Sequence, residues 1–110
     1  MTNGHLAEKK IFSYERAVAL LPEVRRVTEE AHHQVEALAT EGSAPEVRTR
    51  IEEIVIAWAR TLGKEGLEAK GIWLVDFDNG SGYYCWRHPE PGLHFYHSHE
   101  DGFGGRMRIQ

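Results

Sequence analysis

A chain of 110 residues with 41% hydrophobic and 27% charged side chains holds enough apolar mass for one core, which predicts one domain. Its net charge of -4, with both signs mixed along the chain, lacks the basic stripe that a phosphate backbone demands, so no nucleic acid partner is expected. The longest apolar runs, Ala17 to Leu21 and Ile54 to Ala59, fall far short of the roughly 20 residues of a membrane helix. The N-terminal stretch shows no apolar signal core, and the lone Cys85 excludes an internal disulfide, so the expected setting is cytoplasmic with no membrane partner.

The composition changes along the chain. Residues 1–70 carry 22 of the 30 charged side chains, whereas residues 71–110 hold eight of the eleven aromatics. The predicted fold class is α+β: a long antiparallel helical hairpin over residues 12–63 packed on a three-stranded antiparallel meander over residues 71–98. Residues 1–11 form a flexible lead and 99–110 a glycine-rich tail.

Ser13 is placed to cap a first helix, with Phe12 and Ala17 as a hydrophobic staple. Ala17, Leu20, Leu21, Val24, Val27, Ala31, Val35 and Leu38 recur at helical spacing. Pro22 interrupts that stripe and predicts a kink or restart near Leu20 or Leu21, because proline lacks an N–H and clashes with the preceding turn. Ser43 and Pro45 supply a cap and a first-turn proline for a second helix to about Leu62, striped by Val47, Ile51, Ile54, Val55, Trp58 and Leu62. Gly63 is positioned to end it in a left-handed conformation.

From Gly71 the period falls to two. Ile72 to Phe77, Tyr83 to His88 and Leu93 to His97 read as strands, joined at Asp78–Gly82 and Pro89–Gly92. With loops of five and four residues, Phe77 faces Tyr83 and His88 faces Leu93. Asp76, Tyr84 and His97 then form one polar row, sharing a face with Ile72, Leu74, Trp86 and Phe95, while Cys85 and Arg87 point the other way. Both faces carry large apolar side chains, and the hairpin covers one unless the tail folds over the other. A homodimer through sheet or helix faces is therefore the expected partner.

The stretch from Tyr96 to Arg106 combines His97, His99, Glu100, Asp101, three glycines and Arg106. In an extended strand His97 and His99 point the same way, and two imidazoles with a carboxylate from Asp76, Glu100 or Asp101 suit a divalent transition metal such as zinc. With an open position for water, that set predicts a small hydrolase-like metalloenzyme. The competing reading is structural: Asp76 accepts hydrogen bonds from Tyr84, His97 or Arg106, with the guanidinium pinning the tail across the sheet. A third reading is a small-ligand pocket in which His97, paired with Asp76, acts as general base. Cys85 would be a nucleophile only if Arg87 lowered its pKa, and a lone strand cysteine more often packs as a small hydrophobe. Trp58 and Trp86 read as core, Glu90 as an exposed turn residue at the far end of the sheet, and His32 and His33 as solvated.

Taken together, Phe12-Ser13 with Ala17, Leu20-Leu21-Pro22, Val75-Asp76-Phe77, Cys85-Trp86, Glu90, His97, Gly102-Phe103 and Arg106 resemble a family of bacterial proteins. It is catalogued as the domain of unknown function numbered twenty-two hundred and three, and the resemblance runs from Phe12 onward. The chain departs from it at Arg16, where the family more often has an acid, and at Pro89, where it has glycine. The resemblance implies a prokaryotic cytosolic protein of similar two-layer fold and brings no activity or cofactor. It directs attention to Asp76, Cys85, Trp86, Glu90, His97, Gly102, Phe103 and Arg106, and with Tyr84 from the polar row the expected ligand-binding set is Asp76, Tyr84, Cys85, Trp86, Glu90, His97 and Arg106. The expected function is a small binding or interaction module, with the metalloenzyme as the alternative.

Overall fold

A computed structural model describes residues 10–109. Of the expected flexible lead, residues 1–9 lie outside the described residues. Two helices, α1 (Tyr14–Ala39) and α2 (Pro45–Lys64), are followed by five strands: β1 (Glu68–Gly71), β2 (Leu74–Asp78), β3 (Gly82–Arg87), β4 (Phe95–Ser98) and β5 (Met107–Arg108). They form an antiparallel sheet in the order β1-β2-β3-β4-β5, so the fold is α+β with a five-stranded meander rather than the three strands expected. No helix among the described residues is long and apolar enough to cross a membrane.

Ser13 caps α1 as anticipated, its Oγ accepting from the Arg16 N–H at 3.2 Å. The break near Leu20 does not occur. α1 runs unbroken through Pro22, with Ala17, Leu21, Val24 and Ala31 buried on its inner face. The stripe continues in register on both sides of the proline, and burial of that face outweighs the one backbone bond that proline forgoes. At the start of α2 the N-cap is Ala44, without a side-chain bond, so Ser43 is not the cap; Pro45 takes the first helical position. At its end Gly63 remains helical. The left-handed glycine is Gly66 (φ 84°), where the N–H groups of Gly66 and Leu67 bond the carbonyls of Gly63 and Leu62 in a Schellman closure.

The two strands missed in the sequence have a common cause. β1 is Glu-Ala-Lys-Gly, without the β-branched and aromatic residues that mark strands, and it exists through its pairing with β2. Trp73, expected in a strand, sits in the turn between them at φ 64°. β5 is two residues held by β4.

Register is where the structure departs furthest. The β2–β3 ladder pairs Phe77 with Tyr84 and extends one residue further, to Asp78 and Tyr83. The β3–β4 ladder pairs Tyr83 with His97 and Tyr84 with Tyr96. Each is one residue off the expected alignment, so β3 is turned over: Tyr84 and Trp86 face the helices, and Tyr83 and Cys85 face away. Between β2 and β4 the two slips add to two residues, so Asp76 lies in row with Cys85 and Phe95 rather than with His97, but an even offset preserves the face and Asp76 and His97 still share it. Gly82 permits the β3–β4 approach, since a Cβ there would lie 2.5 Å from the His97 carbonyl oxygen.

The core lies between the helices and the inner sheet face, built from Phe12, Ala17, Leu21, Val24, Trp58, Leu62, Val75, Phe77 and Trp86. Phe12 meets Phe77 edge-on at 5.7 Å, and Tyr14 meets Tyr84 at 5.4 Å. Trp58 Nε1 donates to Thr28 Oγ1 at 2.8 Å, both groups buried, tying α2 to α1. Thr28→Val strands that indole N–H in a dry core and should cost about 1–3 kcal/mol. Urea unfolding followed by tryptophan fluorescence measures it, and a midpoint equal to that of the wild type would refute this account of the helix pair.

Candidate functional site

The outer sheet face is polar yet buried. Asp76 on β2 is 1% exposed, Cys85 on β3 0% and His97 on β4 3%. Asp76 is the direct partner of Cys85, and His97 pairs with Tyr83, two residues back along β3. The carboxylate, thiol and imidazole ligand atoms all lie within 4.8 Å of one another.

His97 Nε2 lies 3.0 Å from Asp76 Oδ2, and its Nδ1 lies 2.8 Å from the Ser98 carbonyl. A carbonyl only accepts, so Nδ1 carries a proton; the contact of Nε2 with a carboxylate oxygen needs a further shared hydrogen, and it is this one that a metal ion on Nε2 would replace. The other Asp76 oxygen, Oδ1, is buried without a hydrogen-bond donor of ordinary geometry. Burial, reinforced by the Asp76 charge, pushes the Cys85 thiol up to about 12, with Arg106 pulling weakly the other way. A thiol that stays protonated at neutral pH is a poor nucleophile, and neither ring nitrogen of His97 serves it as base, so the cysteine-nucleophile reading has no geometric support.

Two cations flank the three. Lys70 Nζ sits 4.0 Å from the Tyr83 ring centroid, 3.5 Å from Asp76 Oδ2 and 3.4 Å from Glu68 Oε1. Burial opposes its charge, but the Asp76 and Glu68 carboxylates outweigh burial and raise its pKa. Arg106 lies between the Phe95 and Phe103 rings, 3.9 and 4.1 Å from their centroids, forms a two-pronged ion pair with Glu90, and brings Nη1 to 3.8 Å from Cys85 Sγ. The tail thus roofs the outer face with its own chain. Phe103 remains exposed at its edge, while the exposed Tyr96 and Met107, in row with Tyr84, lie on the other face.

Several expected partners are rearranged. Arg106 binds Glu90 rather than Asp76. Glu90 does lie in the turn beyond the end of β3, away from His97, but it is not an exposed residue there: its carboxylate also accepts from the Arg87 N–H, and its carbonyl takes Trp86 Nε1 and the Arg25 guanidinium. Tyr84 and Trp86 lie on the helical side, away from Asp76. His99 bonds Asp78 at 3.0 Å, and Glu100 is exposed, so the His97/His99/carboxylate set does not converge and Cys85 stands where a second histidine was expected. Of the three donors expected on Asp76, His97 reaches it and Tyr84 and Arg106 do not. His32 is not simply solvated; its ring packs 4.7 Å from that of His88, which burial and then the His32 charge hold below the usual imidazole range. Glu68 and Lys70 escaped sequence reading because β1 did; their one signal was an acid and a base two residues apart on a strand-length segment before Gly71.

The model of a family of uncharacterized conserved proteins, DUF2203, matches residues 10–109. The chain belongs to that family. No curated protein and no solved structure matches it. In this DUF2203 chain, five residues that carried the resemblance, Asp76, Cys85, Glu90, His97 and Arg106, meet on one sheet face, while Phe12, Ala17, Leu21, Phe77 and Trp86 supply core.

Removing Arg106 leaves Glu90 unpaired under the tail and opens the stack between two rings. Arg106→Ala should destabilise the fold by about 2–4 kcal/mol, and Arg106→Lys should restore less than half of that, since an ammonium cannot reproduce the planar fork. Cys85 should resist thiol reagents at pH 8 in the folded wild type and react in Arg106→Ala. Equal labelling of both proteins would contradict the roofing role.

Proposed function

We propose that this chain is a metal-binding domain that holds one divalent transition-metal ion, zinc by preference, between Asp76, Cys85 and His97. The observation that carries the reading is the convergence, in a buried setting, of an oxygen, a sulfur and a nitrogen donor from three adjacent strands. Such a mixed set suits zinc better than calcium or magnesium, which take oxygen alone.

Three details support the fit. The Nδ1–H bond of His97 to the Ser98 carbonyl orients the ring with Nε2 inward, as outer partners of metal-bound histidines do. Asp76 Oδ1 is a buried acceptor that an ion would satisfy. A carboxylate and a thiolate together balance a divalent charge, and the 4.8 Å span needs a contraction of about 1 Å to reach the ~3.3–3.8 Å ligand separations of a tetrahedral ion. That contraction is within reach of side-chain rotation on a fixed sheet.

The role this supports is binding. An ion here would tie β2, β3 and β4 together beneath the tail. Three protein ligands leave one position for a further donor.

Cobalt reports the sulfur ligand directly. Cobalt(II) added to the metal-stripped protein should give a thiolate-to-metal absorption band in the near ultraviolet, absent in Cys85→Ser, while zinc should raise the thermal midpoint of the wild type and not of His97→Ala. A wild-type protein with no such band and no zinc-dependent shift would remove the proposal.

A further inference from the structure

Lys70 holds a cation at the edge of the Asp76/Cys85/His97 cluster. Its ammonium lies 3.5 Å from Asp76 Oδ2 and 3.4 Å from Glu68 Oε1, so two carboxylates already converge on a single positive charge. They converge because Glu68 and Asp76 are direct partners in the β1–β2 ladder, which puts both side chains on the same face. The Glu68 carboxylate is turned toward this point by the Tyr83 hydroxyl, which donates to Oε1 at 3.3 Å.

We propose that Glu68 is the fourth ligand of the metal and that Lys70 is a resident counter-ion which the metal displaces. The inference rests on the metal reading above and adds to it a donor and a competitor. An ion among Asp76, Cys85 and His97 would share the Asp76 carboxylate with Lys70, and two like charges on the order of 5 Å apart repel strongly in a site shielded from water. Lys70 can yield because its side chain is 38% exposed, enough for the ammonium to swing into solvent while the stem stays on the Tyr83 ring. Its departure opens the way for the Glu68 carboxylate, which stands outside the 4.8 Å cluster, to turn in toward the ion. The completed set, two carboxylates, an imidazole and a thiolate, fills a tetrahedron from β1, β2, β3 and β4 and closes the site to substrate. Metal occupancy then depends on the ion's advantage over a built-in cation, which makes the affinity lower and more adjustable than that of a site without one.

The test titrates zinc alone, in competition with a chromophoric chelator, into full-length wild type, Lys70→Met, Glu68→Gln and the double variant, with circular dichroism confirming the fold of each. Methionine keeps the length and the ring contact of lysine and removes the charge. The expected result is affinity about tenfold tighter or more in Lys70→Met and about tenfold weaker in Glu68→Gln, each such factor being one decade of dissociation constant. The visible bands of the cobalt(II) form should also change in Glu68→Gln as a ligand is exchanged. Zinc binding by Lys70→Met with none by the wild type would overturn the displacement, since Lys70 would then exclude the ion rather than yield to it. Binding by the wild type that Lys70→Met leaves unchanged or weakens overturns it and leaves the three-ligand site standing. Unaltered affinity and cobalt bands in Glu68→Gln remove Glu68 as ligand. No binding by the wild type or by Lys70→Met ends both this inference and the reading beneath it.

Discussion

Burying a carboxylate next to an imidazole is unfavourable unless each compensates the other, and the 3.0 Å contact between Asp76 and His97 meets that condition across two strand spacings. The arrangement of the outer face follows from it. Cys85 lies between them on β3 and is shielded from water, which raises its pKa. Lys70 and Arg106 bring positive charge to the two margins, and each is held by a second carboxylate, Glu68 or Glu90. The face therefore holds two ion pairs, Lys70 with Glu68 and Arg106 with Glu90, at the margins of the hydrogen-bonded Asp76, His97 and Cys85. Such an arrangement tolerates a bound cation only by exchanging one positive group for another.

The two sides of the sheet divide the work. The inner side is dry, with Val75, Phe77, Tyr84 and Trp86 packed on the helical stripes and fixed by contacts such as Phe12 on Phe77. It makes the sheet rigid and holds the strand spacing that brings the outer groups together. The outer side spends that rigidity on polar groups which could not be buried on a floppy sheet, since their compensation depends on distances of about 3 Å. The turn at Glu90 links the sides: its carboxylate serves Arg106 above the sheet, while its carbonyl accepts from Trp86 and from Arg25 of α1.

Much of this was legible beforehand. The helical stripes, the Ser13 cap and the extended character of the segments that became β2, β3 and β4 come from local patterns that survive folding, although the sheet begins at Glu68, before Gly71, and residues 72–73 turn. The joining of Asp76 to His97 was anticipated through a wrong alignment, because two one-residue errors around β3 add to an even offset that leaves both side chains on one face. Cys85 and Tyr84 bore the full consequence of that error and exchanged faces. Glu90 and Arg106 were noted as residues of interest but not as each other's partner.

The amino-acid sequence by itself determined the two helices, the approximate place of the three central strands and which residues are too apolar for water, since periodicity and capping act over three or four neighbours. Only the tertiary structure decided the strand register, the existence of β1 and β5 and the membership of the polar cluster. Alignment in an antiparallel sheet is set by loop length and by which face finds a core, and one residue more in a ladder reverses every side chain of a strand. β1 and β5 form because neighbouring strands offer unpaired N–H and carbonyl groups, a demand that no residue within those segments records.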